Sequence, residues 1–375
     1  MSYNPGFIYH HQVATVLFSL EVDVHKILLK QSHHLCDVMR AMVLEKITRV
    51  EDEPLKLREV KVPEISENEI LVKISVCGVC HTELDEIEGR VKPKLPVIPG
   101  HEIVGYVEKT GSRVKRFDTG DRVGIGWIYS ACGECKFCKS GRENLCYNFR
   151  ATGCDENGGY AEYIKINENF AYPIPDTFSD SEAAPLMCAG AIGYRALRLT
   201  QMRDGEIIAL YGFGASAHIV IQIVKHLYPD SQVFVFTRRR DDEPSKLARK
   251  MGADWVGITG DTPPEKFDRA IDTTPVGIPV AEALRNMERG GRLVINAIRK
   301  ETKIPEMDYA NHLWEEKEVK SVANITRKDI EEFLKIAAEI PIKPEVKEFK
   351  LEEANRALVM LKHGKYRGAG VLKVI

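Results

Sequence analysis

The chain has almost no excess charge of either sign. Its 53 Lys and Arg face 55 Asp and Glu, leaving a formal net charge of −2 over 375 residues. That balance provides no basic face for nucleic acid and no acidic tail. No apolar run is long enough to cross a bilayer, which excludes a helical membrane span. Internal repeats and low-complexity linkers are also missing. With 44% hydrophobic residues the chain can bury a large core, so its nine cysteines are not needed as disulfide staples. This length predicts two domains of ordinary size.

The cysteines instead carry the strongest pattern in the chain. Cys132, Cys135, Cys138 and Cys146 lie in CGECKFCKSGRENLC, with two, two and seven residues between successive thiols. Packing does not demand this spacing, and the segment is too polar for a core. Four such sulfurs can close around one tetrahedral ion, and zinc with thiolate ligands is the usual occupant. Thiols reserved for metal point to a reducing compartment and hence a cytoplasmic location.

Residues 1–38 read differently from the rest. They hold the pairs His10–His11 and His33–His34 and a short apolar stretch, Val13 to Leu20, with no positive flank and no clean cleavage site. Met39 opens MRAMVLEKI, which reads as an ordinary protein start followed by a strand. The expectation is that translation begins at Met39, which the intact mass of the native protein would check.

Two grammars follow. In residues 39–189, short β-branched segments such as EILVKISVCG, EIVGYVEKTG, DRVGIGW and YAEYIKI are broken by Gly and Pro. They predict a mainly-β, largely antiparallel domain. In residues 190–324, strands (IIALYG, QVFVFT, RAIDTT, RLVINAI) alternate with helices (SAHIVIQIVKHL, PSKLARKMGA, PVAEALRNM), which predicts a doubly wound parallel sheet of α/β class. Residues 325–375 add a helix, RKDIEEFLKIAAE, a shorter one and a last strand that returns to the first domain.

After IIALYG comes Gly212-Phe213-Gly214-Ala215-Ser216-Ala217 and a helix. This is the dinucleotide fingerprint, with Ala217 in the third glycine place. Gly212 permits the tight turn, and Gly214 lets the backbone approach a pyrophosphate held at the helix N-terminus. The next strand ends Thr237-Arg238-Arg239-Arg240, with no carboxylate to grip a ribose 2′-hydroxyl. Arginine there suits the 2′-phosphate, so NADP(H) is preferred over NAD(H), with Thr237, Arg238 and Arg239 as contacts. The bland alternative is a solvated cluster balanced by Asp241, Asp242 and Glu243.

Three further segments hold metal-ligand residues: GVCHTE with Cys80, PGHE with His101, and PLMCAG with Cys188. Two thiolates and one imidazole would leave a zinc coordination position open for a substrate oxygen. Taken singly, each residue reads as well as core, and spacing does not join them.

GVCHTE, PGHEIVGYVEKTG, the four-cysteine lobe, PLMCAGAIGYRAL and YGFGASA occur in an order that resembles the zinc-containing medium-chain alcohol dehydrogenases, from about Met39 to the C-terminus. An NADP-preferring alcohol dehydrogenase and aldehyde reductase subgroup is the nearest in pattern. The resemblance implies a GroES-like catalytic domain and a Rossmann domain. It implies two zincs per chain: a catalytic one on Cys80, His101 and Cys188, and a structural one on the lobe. It makes Glu102 the carboxylate beside the metal, Thr82 the hydroxyl that takes the alcohol proton, His81 a pyrophosphate contact and Trp127 a pocket wall. It also implies a homodimer or homotetramer built by continuing the parallel sheet, with RLVINAI as its edge.

The chain departs from the pattern in several places. Glu83 stands where Asp usually orients the histidine ligand, and Asp85 stands where His often ends the proton relay. Ile192 replaces a Thr near the nicotinamide. Ala369 replaces a phosphate-binding Arg, for which Arg367 could substitute. Cys154 replaces an aromatic and would widen the pocket. The expected reaction is hydride transfer between an alcohol and NADP(H). The alternatives are a polyol dehydrogenase of the same fold, against which Cys188 argues, and a non-catalytic NADPH-binding zinc protein. Zinc-free reductases would lack both cysteine sets.

Overall fold

A computed structural model describes Met1, residues 38–340 and residues 342–375. The expected N-terminal extension, with its two His pairs, lies outside the described residues apart from Met1 and Val38.

The first unit is organised by one long strand. Glu69–Val79 is rich in β-branched residues, and it pairs antiparallel with Ala369–Lys373, Ile103–Thr110 and Tyr163–Asn167. Arg122–Ile125 and Ala171–Pro173 extend the sheet beyond Ile103–Thr110, and Val346–Lys350 closes its other edge in parallel with Ala369–Lys373. The tail of the chain thus returns to this sheet, as its last predicted strand requires. A two-stranded ribbon, Val38–Leu44 with Leu55–Lys61, packs alongside. Ile70, Val72, Ile74, Ile103, Val123 and Ile166 are fully or nearly fully buried in one core with Tyr160. Each such side chain contributes about 1.5–3 kcal/mol from removal of apolar surface.

The second unit is a six-stranded sheet, parallel throughout. Its order is Trp255–Ile258, Gln232–Thr237, Ile207–Tyr211, Phe267–Asp272, Met287–Ile295, Glu318–Ser321. Counted from the first strand of the unit, this is the 3-2-1-4-5-6 arrangement of a doubly wound nucleotide-binding sheet, whose order reverses beside Ile207–Tyr211. Strands buried on both faces read as continuous apolar runs, and IIALY is buried at every position. Tyr211 and Phe236 stack at 4.2 Å between centroids, and Phe267 and Trp255 meet Phe236 edge-on. One expectation is corrected here. RLVINAI is not an edge, because Glu318–Ser321 pairs along its outer side and takes the edge position. That short, fully exposed segment, EVKS, lacks the apolar pattern by which a strand is recognised.

Between the units runs the helix Ala189–Thr200, packed against the helices Ala217–Leu227 and Arg327–Glu339. Arg195 and Arg198 bind the buried Asp329 of the last helix at 2.5 and 2.8 Å. Among the described residues, no helix is long and apolar enough to cross a membrane.

Candidate active site

The antiparallel register of Glu69–Val79 with Ile103–Thr110 sets the end of one strand beside the start of the next, with Cys77 opposite Ile103. Cys80, just past the first strand, therefore meets His101, just before the second. Cys188 arrives from the sequence-distant turn that caps the helix Ala189–Thr200. The ligand atoms of Cys80, His101, Glu102 and Cys188 all lie within 4.8 Å of one another, and His101 Nε2 is 3.2 Å from Cys188 Sγ. Three residues that spacing could not connect share one cluster.

Cys80 also caps the short helix His81–Ile87, which supplies the surrounding groups. Glu83 Oε2 accepts the Cys80 backbone N–H at 2.8 Å, while Glu83 Oε1 lies 2.6 Å from His101 Nδ1. The second contact is an ion-pair approach bent away from a straight hydrogen bond. The longer carboxylate thus reaches the imidazole, and with Nδ1 engaged, Nε2 is the nitrogen turned to the sulfurs. Glu102 is buried against Gly78, where an added Cβ would stand 1.9 Å from Glu102 Oε2. Only glycine leaves room for that carboxyl. Trp127 sets its ring edge-on to His101 at 4.7 Å between centroids and shields the cluster.

Electrostatics mark the cluster as a cation site. A hydrogen bond from the Cys188 thiol holds Cys80 well below the usual thiol range, and the same interaction pushes Cys188 well above it. Burial alone would lower His101, yet the Glu83 charge and the contacts from Cys80 and Glu83 push it well above its usual value. Burial, then the Cys80 charge, raises Glu102. Two thiols, an imidazole and a carboxyl with their ligand atoms within 4.8 Å of one another are a donor set that a divalent ion would suit once they lose their protons.

The expected cysteine lobe also forms. Sγ–Sγ distances are 3.4 Å for Cys146–Cys132, 3.6 Å for Cys135–Cys138 and 3.9 Å for Cys132–Cys138. A tetrahedron with zinc–sulfur bonds of 2.3 Å has edges of about 3.8 Å. Disulfides are excluded, since all four thiols are free. Backbone N–H groups of Cys132, Cys135 and Asn148 point at the sulfurs at 3.3–3.4 Å, as suits thiolates.

At the switch point of the parallel sheet, Gly212 has φ +85°, and an added Cβ would meet Thr273 Oγ1 at 2.7 Å. The space above Gly214 is open, and Ala217 begins the following helix. At the end of the next strand, Thr237 is buried, its hydroxyl tied to Ser245 Oγ at 2.7 Å and to the Arg239 carbonyl at 2.9 Å. Thr237 therefore shapes the turn. Arg238 and Arg239 are exposed and have no ion pair among the described residues, whereas Arg240 binds Asp261. Asp242 caps the helix Glu243–Lys250 through the Ser245 N–H, and Arg367 pairs with Glu243. Asp242 and Glu243 are thus occupied without neutralising Arg238 or Arg239. His81 is exposed at the start of its helix, Thr82 Oγ1 stands 3.6 Å from Cys80 Sγ, and Ile192 is half-buried.

Three groups were not legible in the sequence. Arg299 and Lys300 follow the strand Met287–Ile295. Arg299 reaches Asp85, which Arg90 also holds, and Lys300 binds the buried Asp272 at 2.6 Å. Glu86, on the helix His81–Ile87, is almost fully buried. Nothing in the run TELDEIEG marks Glu86 as interior, and only the packing places it there.

A family model described as "Alcohol dehydrogenase GroES-like domain" matches residues 66–176. The chain is 43% identical over 327 residues to "Probable alcohol dehydrogenase AdhA" of Mycobacterium tuberculosis, covering 86% of this chain and 93% of that protein. An alcohol dehydrogenase of Geobacillus stearothermophilus is 38% identical over 348 residues, covering 90% of this chain and 99% of the relative. A cobalt- and zinc-bound thermostable alcohol dehydrogenase from Pyrobaculum aerophilum superposes with a TM-score of 0.80 at 25% identity, over 90% of this chain and 100% of that one.

Proposed function

Because this chain belongs to the zinc-containing medium-chain alcohol dehydrogenase family, we propose that it moves a hydride between a primary or secondary alcohol (or the matching aldehyde or ketone) and NADP(H). The observation that carries this reading is the cluster of Cys80, His101 and Cys188, with Glu83 fixing the imidazole from behind. Sulfur, sulfur and imidazole within 4.8 Å fit a zinc ion, and one structural relative is described as zinc-bound. The four-cysteine lobe fits a second, closed zinc site.

Zinc held by Cys80, His101 and Cys188 would act as a Lewis acid on the substrate oxygen. NADP+ would accept the hydride, with its pyrophosphate over Gly212, Gly214 and Ala217, His81 nearby, and its 2′-phosphate at Arg238 and Arg239. Thr82 accepts the alcohol proton at Oγ1, since it stands beside Cys80 on the cluster side of its helix. Asp85, one helical turn further on, ends the relay through Oδ2, because Arg90 and Arg299 both fall on Oδ1. Trp127 keeps water from the reacting centre. Glu102, buried in the same cluster, would stand within reach of the metal as a further oxygen ligand.

The residue ranges fit a catalytic unit at 39–189, a cofactor unit at 190–324 and a returning tail at 325–375, and the protein works as a homo-oligomer in this reading. The test is a panel of aliphatic, aromatic and cinnamyl aldehydes with NADPH and NADH in parallel, before and after chelation. Zinc-dependent reduction with a preference for NADPH is expected. Full turnover after metal removal would refute the reading.

A further inference from the structure

His218 is a buried imidazole that the mechanism above does not use. It stands in the first turn of the helix Ala217–Leu227 and is 2% exposed. Its Nδ1 lies 3.2 Å from the carbonyl oxygen of Gly214, the second glycine of the cofactor turn. A carbonyl oxygen only accepts, so Nδ1 carries the proton and donates it. Nε2 is then a bare lone pair, buried without a partner among the described residues. Burial lowers the imidazole below its usual value against the pull of that carbonyl, which keeps the ring neutral. A leucine would fill similar space without the bare nitrogen. An unpaired group of this kind is unfavourable in a protein interior and calls for an explanation.

The explanation lies in what the ring holds. The Gly214 carbonyl also accepts the His218 backbone N–H, at 3.2 Å. Two donors from one residue thus fix the peptide plane between Gly214 and Ala215. In a trans peptide the C=O and the N–H point in opposite directions. With the carbonyl drawn into the helix, the Ala215 N–H is turned out of its N-terminal end. The backbone N–H groups of Gly214 and Ala215 make no hydrogen bond among the described residues, and the space above Gly214 is open. Ser216, in the N-cap place, does not cap the helix; its hydroxyl lies 3.4 Å from Asn296 Nδ2 instead. The donors are left free for an anion, and the plane that carries one of them is clamped.

We propose that His218 is a positioning residue for the cofactor pyrophosphate: by holding the Gly214 carbonyl, it aims the Ala215 N–H at the phosphate oxygens. This rests on the nucleotide-binding reading of that turn and adds how its donors are held. The bare Nε2 is stability given up for a turn organised before the cofactor arrives. The pyrophosphate is common to NADPH and NADH, so this role is separate from that of Arg238 and Arg239.

The experiment titrates NADPH and NADH by fluorescence into the wild-type chain and the variants His218→Asn and His218→Leu, with a coenzyme-free thermal melt of each. Asn carries an amide N–H near the position of Nδ1 and should keep both Kd values within about twofold of wild type. Leu cannot donate and should raise both Kd values equally, by about 3–10-fold, the loss of one hydrogen bond. Its melting temperature should not fall, because the backbone N–H at 218 still reaches the Gly214 carbonyl and a bare nitrogen has left the interior. An unchanged Kd in the Leu variant overturns the proposal, as does an Asn variant as weak as the Leu one. A Leu variant that melts below wild type overturns it too, because the imidazole would then be serving the fold. If the wild type binds a coenzyme and only the variants fail to differ, this inference alone is lost. If the wild type binds neither coenzyme, the proposed function falls with it.

Discussion

Asp85 and Arg299 are 214 positions apart and meet at 2.9 Å, Oδ1 to Nε. Asp85 lies on the helix beside the metal-ligand cluster, and Arg299 on the loop after a strand of the parallel sheet. The next residue, Lys300, reaches Asp272 and the Thr274 carbonyl, both at 2.6 Å, beside the glycine turn. Two adjacent cations therefore tie the catalytic unit to the strand ends that flank the cofactor loop. With only one of its two guanidinium partners left, Asp85 would be a poorly paired buried acid. Arg299→Leu should cost about 1–3 kcal/mol of stability by urea unfolding. In a double-mutant cycle with Asp85→Asn, a coupling energy near zero would show that the contact does not join the units.

Metal content separates the two cysteine sites. The purified chain should hold two zincs, Cys188→Ala one, and that variant should lose turnover while NADPH binding and folding persist. Cys135→Ala should instead lower thermal stability, since a structural zinc contributes folding energy directly. Elemental analysis with a parallel thermal melt checks both. Equal zinc loss and equal destabilisation in the two variants would contradict two separate sites.

Glu83 holds His101 from behind. Replacing it with Gln removes the charge that favours the tautomer with Nε2 free for metal, and should weaken zinc at the cluster about 10–100-fold without touching the lobe. Competition against a zinc-sensitive chelator reads this as one fast-released ion beside one retained ion. Two retained ions would assign Glu83 a packing role only.

Arg238 and Arg239 are exposed without a carboxylate partner among the described residues. The double change to Ala should raise the Kd for NADPH about 10–100-fold and leave that for NADH nearly unchanged, with the wild-type preference falling as salt rises. Fluorescence titration of both coenzymes decides it. An equal effect on the two would remove the 2′-phosphate assignment.

Gly78→Ala tests how tightly the cluster is packed. The new Cβ would overlap Glu102 Oε2, so Glu102 must move or the strand end must shift. A loss of about 1–3 kcal/mol is expected, together with weaker zinc retention, measured by melting and by metal analysis.

Much of this protein was legible in one dimension. The four-cysteine lobe needs only local spacing, because 15 consecutive residues can wrap an ion without help from the rest of the chain. The glycine turn and the strands of the parallel sheet are also local, since alternation and apolar runs follow from backbone periodicity. Cys80, His101 and Cys188 were joined by resemblance alone, because their meeting depends on strand register and on a turn more than eighty residues away. The sheet edge at EVKS was misread for a related reason: an exposed parallel strand has no apolar signature. Tertiary packing alone decided that Glu83 is long enough to reach His101, that Asp85 is clasped from the other unit, and that Glu86 is buried rather than solvated. An acidic helix looks the same in sequence whether water or a protein interior covers it. The difference is the energy of desolvating each carboxylate, which depends on neighbours that arrive from far along the chain.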